Sequence, residues 1–316
     1  MRCVILDDYQ DVARSYADWS VLPDVQVEVL AEHVGDEDEL VGILAGATVL
    51  VVMRERTPVT RSLLERLPDL RLVVTTGSRN ASIDLAAAQE LGVVVCGTES
   101  SPTPPGELTW ALILGLARYV AQEDAAFHAG GPWQSTVGRD LAGATIGLVG
   151  LGKIGTRVSA VARAFGMEVL AWSPHLTGER AAAADARLAS SLPALLAESD
   201  WVSLHLVLSD ATRGIVGREE IAAMKPSAYL VNTSRAGLVD TDALVEALEA
   251  RRIAGAGLDV YDVEPVPAGD RLRALDNVLA TPHVGYVTDG NYHRFFSQAV
   301  EDIAAWLAGE PVRVLG

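Results

Sequence analysis

Only two cysteines, Cys3 and Cys96, occur in 316 residues. They lie far apart and lack metal-ligand spacing, so neither a disulfide framework nor a zinc site is expected, and a reducing compartment is the simplest reading. Positive charge is scarce: 25 Lys and Arg against 42 Asp and Glu leave a net charge of −17. That balance argues against DNA, RNA or an anionic membrane as a main partner, because each requires clustered cations. No apolar run approaches the roughly 20 residues of a spanning helix; the longest, residues 108–117, is about half of that. The N-terminus enters the strand-like run Cys3–Leu6 without a basic segment and an apolar core before it, so no secretory leader is expected and the cytoplasm is the expected location. There is no HExxH motif, no close Cys/His cluster and no short internal repeat, and the alanines at 181–184 read as part of a helix. What is present is 49% hydrophobic and 21% charged, the composition of a globular chain long enough for two domains.

From Met1 to about Gly97, short apolar runs alternate with helical patterns. Strands are expected at Cys3–Leu6, Val25–Leu30, Thr48–Val52, Leu72–Thr75 and Val93–Cys96, with helices such as Thr60–Leu67 and Ser82–Leu91 between them. This alternation implies a parallel sheet covered on both faces, a small flavodoxin-like domain. The composition shifts at Gly97–Gly106, where Pro102, Pro104 and Pro105 suit a crossing between domains and the first turn of a helix. Glu107–Ala121 is apolar nearly all round and is expected to be buried on more than one side, between domains or against another subunit. Six further strands follow, at Ala144–Val149, Met167–Trp172, Trp201–Leu206, Ala228–Thr233, Ile253–Asp259 and Asn277–Thr281, with a helix at Thr241–Arg251. The last amphipathic pattern, Tyr292–Leu307, stops at Gly309 and Pro311 and is expected to return to the first domain.

Gly150-Leu151-Gly152-Lys153-Ile154-Gly155 stands between the strand Ala144–Val149 and a helical segment reaching about Phe165. Strand, glycine turn and helix in this order form the dinucleotide-binding fingerprint: Gly150 for the tight turn, Gly152 for close approach of a pyrophosphate, Gly155 for helix packing, and the helix N-terminus facing the anion. In such a sheet ligands sit outside the carboxyl ends of the strands. Reading just beyond the last three strand ends returns Arg235, Glu264 and His283. Singly, each is as well explained as a surface ion-pair residue, a loop acid or a turn histidine; together they are a cation, a carboxylate and an imidazole on one edge. Reduction of a 2-keto acid needs such a set: a cation for the carboxylate and a proton donor for the developing alkoxide. His283 would donate the proton, Glu264 would favour its imidazolium form, and Arg235 would hold the carboxylate. His205 falls inside an expected buried strand and reads as a satisfied core histidine, whereas His33, His128, His175 and His293 have no such placement.

At these residues the chain resembles the D-isomer-specific 2-hydroxyacid dehydrogenase family. The segments that carry the resemblance are Gly147–Gly155, Asn232-Thr-Ser-Arg235-Ala-Gly237, Gly257-Leu-Asp259-Val-Tyr-Asp-Val-Glu264-Pro265 and Thr281-Pro-His283-Val-Gly285, and it extends through Trp133 and Leu141–Gly143. The resemblance implies that Arg235, Glu264 and His283 are the catalytic set. It implies an α/β chain of two doubly wound domains: a substrate domain of residues 1–99 plus 285–316, and an inserted NAD(P)-binding Rossmann domain of residues 100–284. It further implies a substrate cleft between the domains and homodimers formed through the cofactor domain. Thr76, Gly77 and Ser78 lie where family members offer backbone amides to the substrate carboxylate, and Asp259 matches a position that orients the nicotinamide. Leu206 and Thr233, at strand ends, join the expected cofactor contacts. Arg54, beyond a strand of the first domain, either contacts a second anionic group of the substrate or is solvated.

Two positions depart from the family pattern. The loop His205-Leu206-Val207-Leu208 lacks the proline that members often carry. At the end of Met167–Trp172, Ser173 stands where a ribose-binding acid is expected, which removes the repulsion of a 2′-phosphate; His175 and Arg180 are near enough in sequence to receive one, Arg180 is equally well explained as a solvated helix residue, and NAD and NADP remain equally open. A second class admitted by the resemblance is a dinucleotide-sensing binding protein similar to the C-terminal binding protein corepressors. The sequence lacks the long disordered tail or basic segment that such a role would use. The formate dehydrogenase branch is not expected, because its histidine pairs with Gln. A phosphoglycerate dehydrogenase with a regulatory tail is not expected either, since the sequence ends soon after its last helical pattern.

Overall fold

The computed structural model describes all 316 residues, and they divide into two compact units, Met1–Ser101 with Val287–Gly316, and Pro102–Tyr286. In the first, β1 (Arg2–Ile5), α1 (Ala13–Tyr16), β2 (Gln26–Val29), α2 (Glu37–Leu44), β3 (Val49–Val52), α3 (Arg61–Glu65), β4 (Leu72–Thr75), α4 (Leu85–Glu90) and β5 (Val94–Gly97) form an all-parallel sheet of order β2-β1-β3-β4-β5. This is the flavodoxin-like order. β3 and β4 are buried at every residue, as strands covered on both faces must be. Asp36, Thr60 and Asp84 start α2, α3 and α4 by accepting backbone N–H groups of the first turn, which removes orphan donors from each helix end. The thiols of Cys3 and Cys96 are buried and pushed up to about 12 by that burial.

The second unit runs through α5 (Thr103–Arg118), α6 (Val120–His128), β6 (Thr145–Val149), α7 (Lys153–Ala164), β7 (Glu168–Trp172), α8 (Gly178–Ala182), β8 (Arg187–Leu188), α9 (Leu192–Glu198), β9 (Trp201–Leu204), α10 (Arg218–Ala223), β10 (Tyr229–Asn232), α11 (Thr241–Glu249), β11 (Gly255–Leu258) and β12 (Val278–Ala280). Its parallel sheet has the order β12-β11-β10-β9-β6-β7-β8. From β6 the chain winds outward to β8, then returns to β9 and winds the other way, so the order reverses between β6 and β9. The sheet has seven strands where six were expected. The extra one, β8, is two residues long and exposed at both, too short to leave a periodic pattern in the sequence.

The helix expected at 107–121 begins earlier, with its prolines in the first turn, and ends at Tyr119, whose left-handed backbone (φ 52°) separates it from α6. Its apolar circumference is explained inside its own unit: α5 packs on β10, β11, β12 and α7. A Cβ at Gly257 of β11 would lie 3.1 Å from the Cβ of Leu112, and one at Gly115 would lie 2.6 Å from Leu279, so small residues set how closely helix and sheet approach. The last helix, α12 (Asp289–Leu307), is started by the Thr288 hydroxyl and packs on α1 and β4. Beyond it Val314 bridges Cys96 in antiparallel fashion and Arg313 reaches the buried Asp302 at 2.9 Å. No helix is long and apolar enough to cross a membrane.

Candidate active site

The glycine turn sits at the carboxyl end of β6, where the strand order reverses. Gly150 adopts φ +105°, and a Cβ there would meet the His205 carbonyl at 2.6 Å, so the backbone beyond β9 crosses directly against the turn. The Gly150 N–H donates to Trp172 O at 2.8 Å, which ties the end of β7 to the same turn. A Cβ at Gly155 would strike the Gly150 carbonyl, so this glycine lets α7 close on the turn itself, whereas one at Gly152 would meet nothing within 4 Å. Gly152 is the N-cap of α7 and offers no side chain. The first intrahelical bond runs from Thr156 N–H to Gly152 O, so the amides of Lys153, Ile154 and Gly155 face a space that Gly152 leaves open. An uncapped helix N-terminus above an open cradle fits the pyrophosphate of a dinucleotide.

The three strand-end residues lie on neighbouring strands. Arg235 follows β10; its Nη1 donates to Ser234 O at 2.7 Å, and its carbonyl accepts from the Asn232 side chain at 2.9 Å. The Ser234 hydroxyl donates to Leu204 O at 2.7 Å, fixing this loop to β9. Glu264 Oε1 accepts the Tyr261 N–H at 2.9 Å and Oε2 lies 2.6 Å from His283 Nδ1. The pair is mostly shielded, with 18% of the His283 side chain and 26% of the Glu264 side chain exposed. With Nδ1 occupied, Nε2 is the ring nitrogen left to carry a proton outward. His283 has a left-handed backbone (φ 53°), and its ring meets Tyr286 edge to face.

Asp259 holds the His283 loop. It is fully buried; Oδ1 accepts from the Thr281 hydroxyl at 2.6 Å and from Val284 N–H at 2.8 Å, and Oδ2 accepts from Gly285 N–H at 2.8 Å. Burial raises its carboxyl above the ordinary range against the pull of those bonds. Both oxygens are thus engaged within the fold. The Tyr261 hydroxyl, 3.0 Å from Leu258 O and 2.9 Å from Thr281 O, bridges the ends of β11 and β12. Neither role was apparent in the sequence, because each depends on a partner about 20 residues away. The Thr233 hydroxyl pairs with that of Thr109 at 2.7 Å, and Leu206 packs half-buried against the core of the unit. Ser173 is half-buried at the end of β7, and its carbonyl accepts Leu176 N–H at 3.1 Å.

His205 differs from expectation. It lies just beyond β9, with Nε2 2.9 Å from the Ser203 hydroxyl and Nδ1 buried without a partner. Burial lowers its imidazole to about 4, so the ring is neutral near neutral pH.

In the first unit Arg54 follows β3 with a left-handed backbone (φ 53°). Its N–H donates to the Thr76 hydroxyl at 2.9 Å, its Nη1 donates to Thr76 O at 3.2 Å, and the guanidinium fills the space that a side chain at Gly77 would need. Asn80, which the sequence did not single out, donates to Arg54 O at 2.6 Å and to the Thr75 hydroxyl at 2.9 Å. The Thr76 amide donates to Val52 O and the Gly77 amide to the Thr98 hydroxyl at 2.8 Å. Of the three amides in this loop, that of the exposed Ser78 is the one not engaged inside the fold.

A doubly wound sheet with a glycine turn at its switch point and a Glu–His pair at its carboxyl edge defines a class, the nicotinamide-dependent dehydrogenases. Residues 110–285 match the family D-isomer specific 2-hydroxyacid dehydrogenase, NAD binding domain, and the chain belongs to that family. It is 37% identical over 291 residues to a hydroxypyruvate reductase of Thermotoga maritima, a match spanning 88% of this chain and 90% of that one. It is 38% identical over 277 residues to a D-3-phosphoglycerate dehydrogenase of Methanocaldococcus jannaschii, spanning 87% of this chain but 52% of that protein. Among solved structures, a phosphoglycerate oxidoreductase from Vibrio cholerae superposes with a TM-score of 0.94 at 39% identity, covering 98% of this chain and 99% of that one. These relatives are named as enzymes, which favours an oxidoreductase over a corepressor-like binding protein. The cofactor of the class is a nicotinamide dinucleotide.

Proposed function

We propose that the chain catalyses the reversible reduction of a small 2-keto acid to a D-2-hydroxy acid with NAD(P)H. The observation that carries this reading is the 2.6 Å contact between Glu264 and His283, on strand ends next to that of Arg235. A nicotinamide dinucleotide held at the glycine turn would supply the hydride for the substrate carbonyl carbon. His283 Nε2 gives a proton to the carbonyl oxygen as charge develops there, while Glu264 fixes the ring through Nδ1 and compensates the charge of its protonated form. Arg235 grips the substrate carboxylate with its planar fork. In the reverse direction Nε2 takes the hydroxyl proton.

Gly150, Gly152, Lys153, Ile154 and Gly155 hold the pyrophosphate in this reading. Ser173 meets the adenosine ribose, and Leu206, Thr233 and Asp259 line or support the rest of the cofactor site. Ser78 supplies a backbone amide to the substrate, with Thr76 and Gly77 shaping its loop and Arg54 beside it. The unit Pro102–Tyr286 is the cofactor-binding half and the other unit the substrate-binding half. The protein works in the cytoplasm as a homodimer joined through the cofactor-binding half and has no nucleic-acid partner.

The test is a spectrophotometric screen of NADH and NADPH oxidation against glyoxylate, hydroxypyruvate, pyruvate and larger 2-keto acids, run beside His283→Ala. The wild type is expected to turn over at least one of these acids. The variant is expected to lose turnover by about 100-fold or more while still binding cofactor by fluorescence. Undiminished turnover in the variant would remove His283 from the role of proton donor.

A further inference from the structure

We propose that this chain selects NADPH over NADH, with Ser173, His175 and Arg180 receiving the 2′-phosphate. The inference rests on the dinucleotide reading above and goes on to name the dinucleotide. In a fold of this kind the residue just beyond the second strand from the glycine turn meets the adenosine ribose, and a carboxylate there binds the 2′-hydroxyl and repels a 2′-phosphate. The Gly150 N–H bond to Trp172 O, 2.8 Å long, fixes Ser173 as the first residue past β7 and holds it against the turn. Ser173 brings a neutral hydroxyl donor instead of a carboxylate. The chain then turns through Leu176 N–H to Ser173 O at 3.1 Å, and Thr177 caps α8 by accepting the Arg180 N–H. His175 and Arg180 are exposed on this turn and the helix it starts.

Charge distribution supports the same assignment. Elsewhere in this unit five basic side chains are committed to acids: Arg187 to Glu198, Arg218 to Glu246, Lys225 to Asp200, Arg251 to Asp276 and Arg271 to Glu249. Lys153, Arg157, His175 and Arg180 make no such pair, a property they share with Arg118, Arg213 and Arg252. Residues 150–180 carry four Lys and Arg against two acids, in a chain whose net charge is −17. Arg163, in the last turn of α7, and Glu168, at the start of β7, lie at the end away from the glycine turn, which leaves Lys153, Arg157 and Arg180 against Glu179, exposed on α8. A region kept cationic and unpaired in so acidic a protein suits a ligand with an additional phosphate.

The experiment measures dissociation constants of NADPH and NADH by fluorescence titration of the intact protein, and repeats them with 2′-phospho-ADP-ribose and ADP-ribose, which lack nicotinamide and so read the adenosine half alone. One or two charge-assisted bonds to the 2′-phosphate predict a preference of about tenfold or more in both pairs, declining as salt is raised. Ser173→Asp is expected to reverse the ratio, and Arg180→Gln and His175→Gln to lower it, in variants whose melting temperatures show that they are folded. Equal or tighter binding of NADH, or a ratio indifferent to Arg180 and His175, overturns the proposal while leaving the oxidoreductase reading intact. Failure of both cofactors to bind overturns that reading and this one together.

Discussion

The chemistry of this protein is set by which lone pairs and protons remain after the fold has taken its share. Asp259 spends both oxygens on the His283 loop, Thr76 and Gly77 spend their amides on Val52 and Thr98, and His283 spends Nδ1 on Glu264. What is left over is His283 Nε2 and the amide of Ser78. The Glu264 contact therefore carries a prediction: Glu264→Gln keeps the shape and a hydrogen bond to Nδ1 but removes the negative charge that compensates the ring as it passes its proton. Turnover in the reductive direction should fall by about 100-fold with cofactor affinity little changed. Steady-state kinetics and cofactor titration of the variant read both effects; turnover within a few-fold of wild type would show that Glu264 only positions the ring. Reading strand ends in the sequence singled out Arg235, Glu264 and His283 as candidates, and the structure brings Glu264 and His283 into contact. It did not single out Asn80, Thr98 or Tyr261, each of which has a partner 20 or more residues away: Arg54, Gly77 and Thr281.

At the scale of the element, the glycine turn separates two kinds of glycine that look alike in the sequence. Gly150 has a positive φ and the His205 carbonyl pressed against it; Gly152 has an ordinary backbone (φ −88°, ψ −158°) and open space in front. Gly150→Ala should therefore cost about 2 kcal/mol or more of stability, since the strained backbone and the overlap act together. Gly152→Ala should leave stability within about 0.5 kcal/mol and weaken cofactor binding, because its Cβ enters the space that a pyrophosphate would fill. Thermal unfolding and cofactor titration of the two variants check this, and a Gly152→Ala protein as destabilised as Gly150→Ala would refute the distinction. The same contrast shows what the sequence disclosed of the fold. Strands such as β3, β4 and β10 were legible because burial on both faces demands continuous apolar runs. β8, with two exposed residues, left no such mark. The break between α5 and α6 at Tyr119 was equally hidden, since a tyrosine in the left-handed region gives none of the warning that glycine would.

Over the whole molecule, burial displaces His205 in one unit and Asp302 in the other in opposite senses, and the two groups should make stability respond to acid in opposite directions. In Pro102–Tyr286, burial lowers His205 from 6.5 to about 4. As pH falls through 6.5 the unfolded chain takes up a proton that the folded unit refuses until about pH 4, so His205 withdraws stability across that window, partly offset by the buried Asp259, which is raised. In the other unit, burial raises Asp302 from 3.8 to about 6 even though Arg313 opposes the shift, and the buried Asp8 is raised in the same sense. There the folded unit takes up the proton first, so acidification from about 6 towards 4 adds stability. Each such group changes the free energy of unfolding by at most about 1.4 kcal/mol per pH unit. Unfolding of wild type, His205→Asn and Asp302→Asn followed between pH 7.5 and 5 should show the acid-side loss diminished in the first variant and enlarged in the second. If both variants tilted the profile the same way, the opposition between the two groups would not exist. Because Asp259 offsets part of the acid-side loss in Pro102–Tyr286, it is the difference between each variant and wild type, and not the wild-type slope, that reads His205 and Asp302.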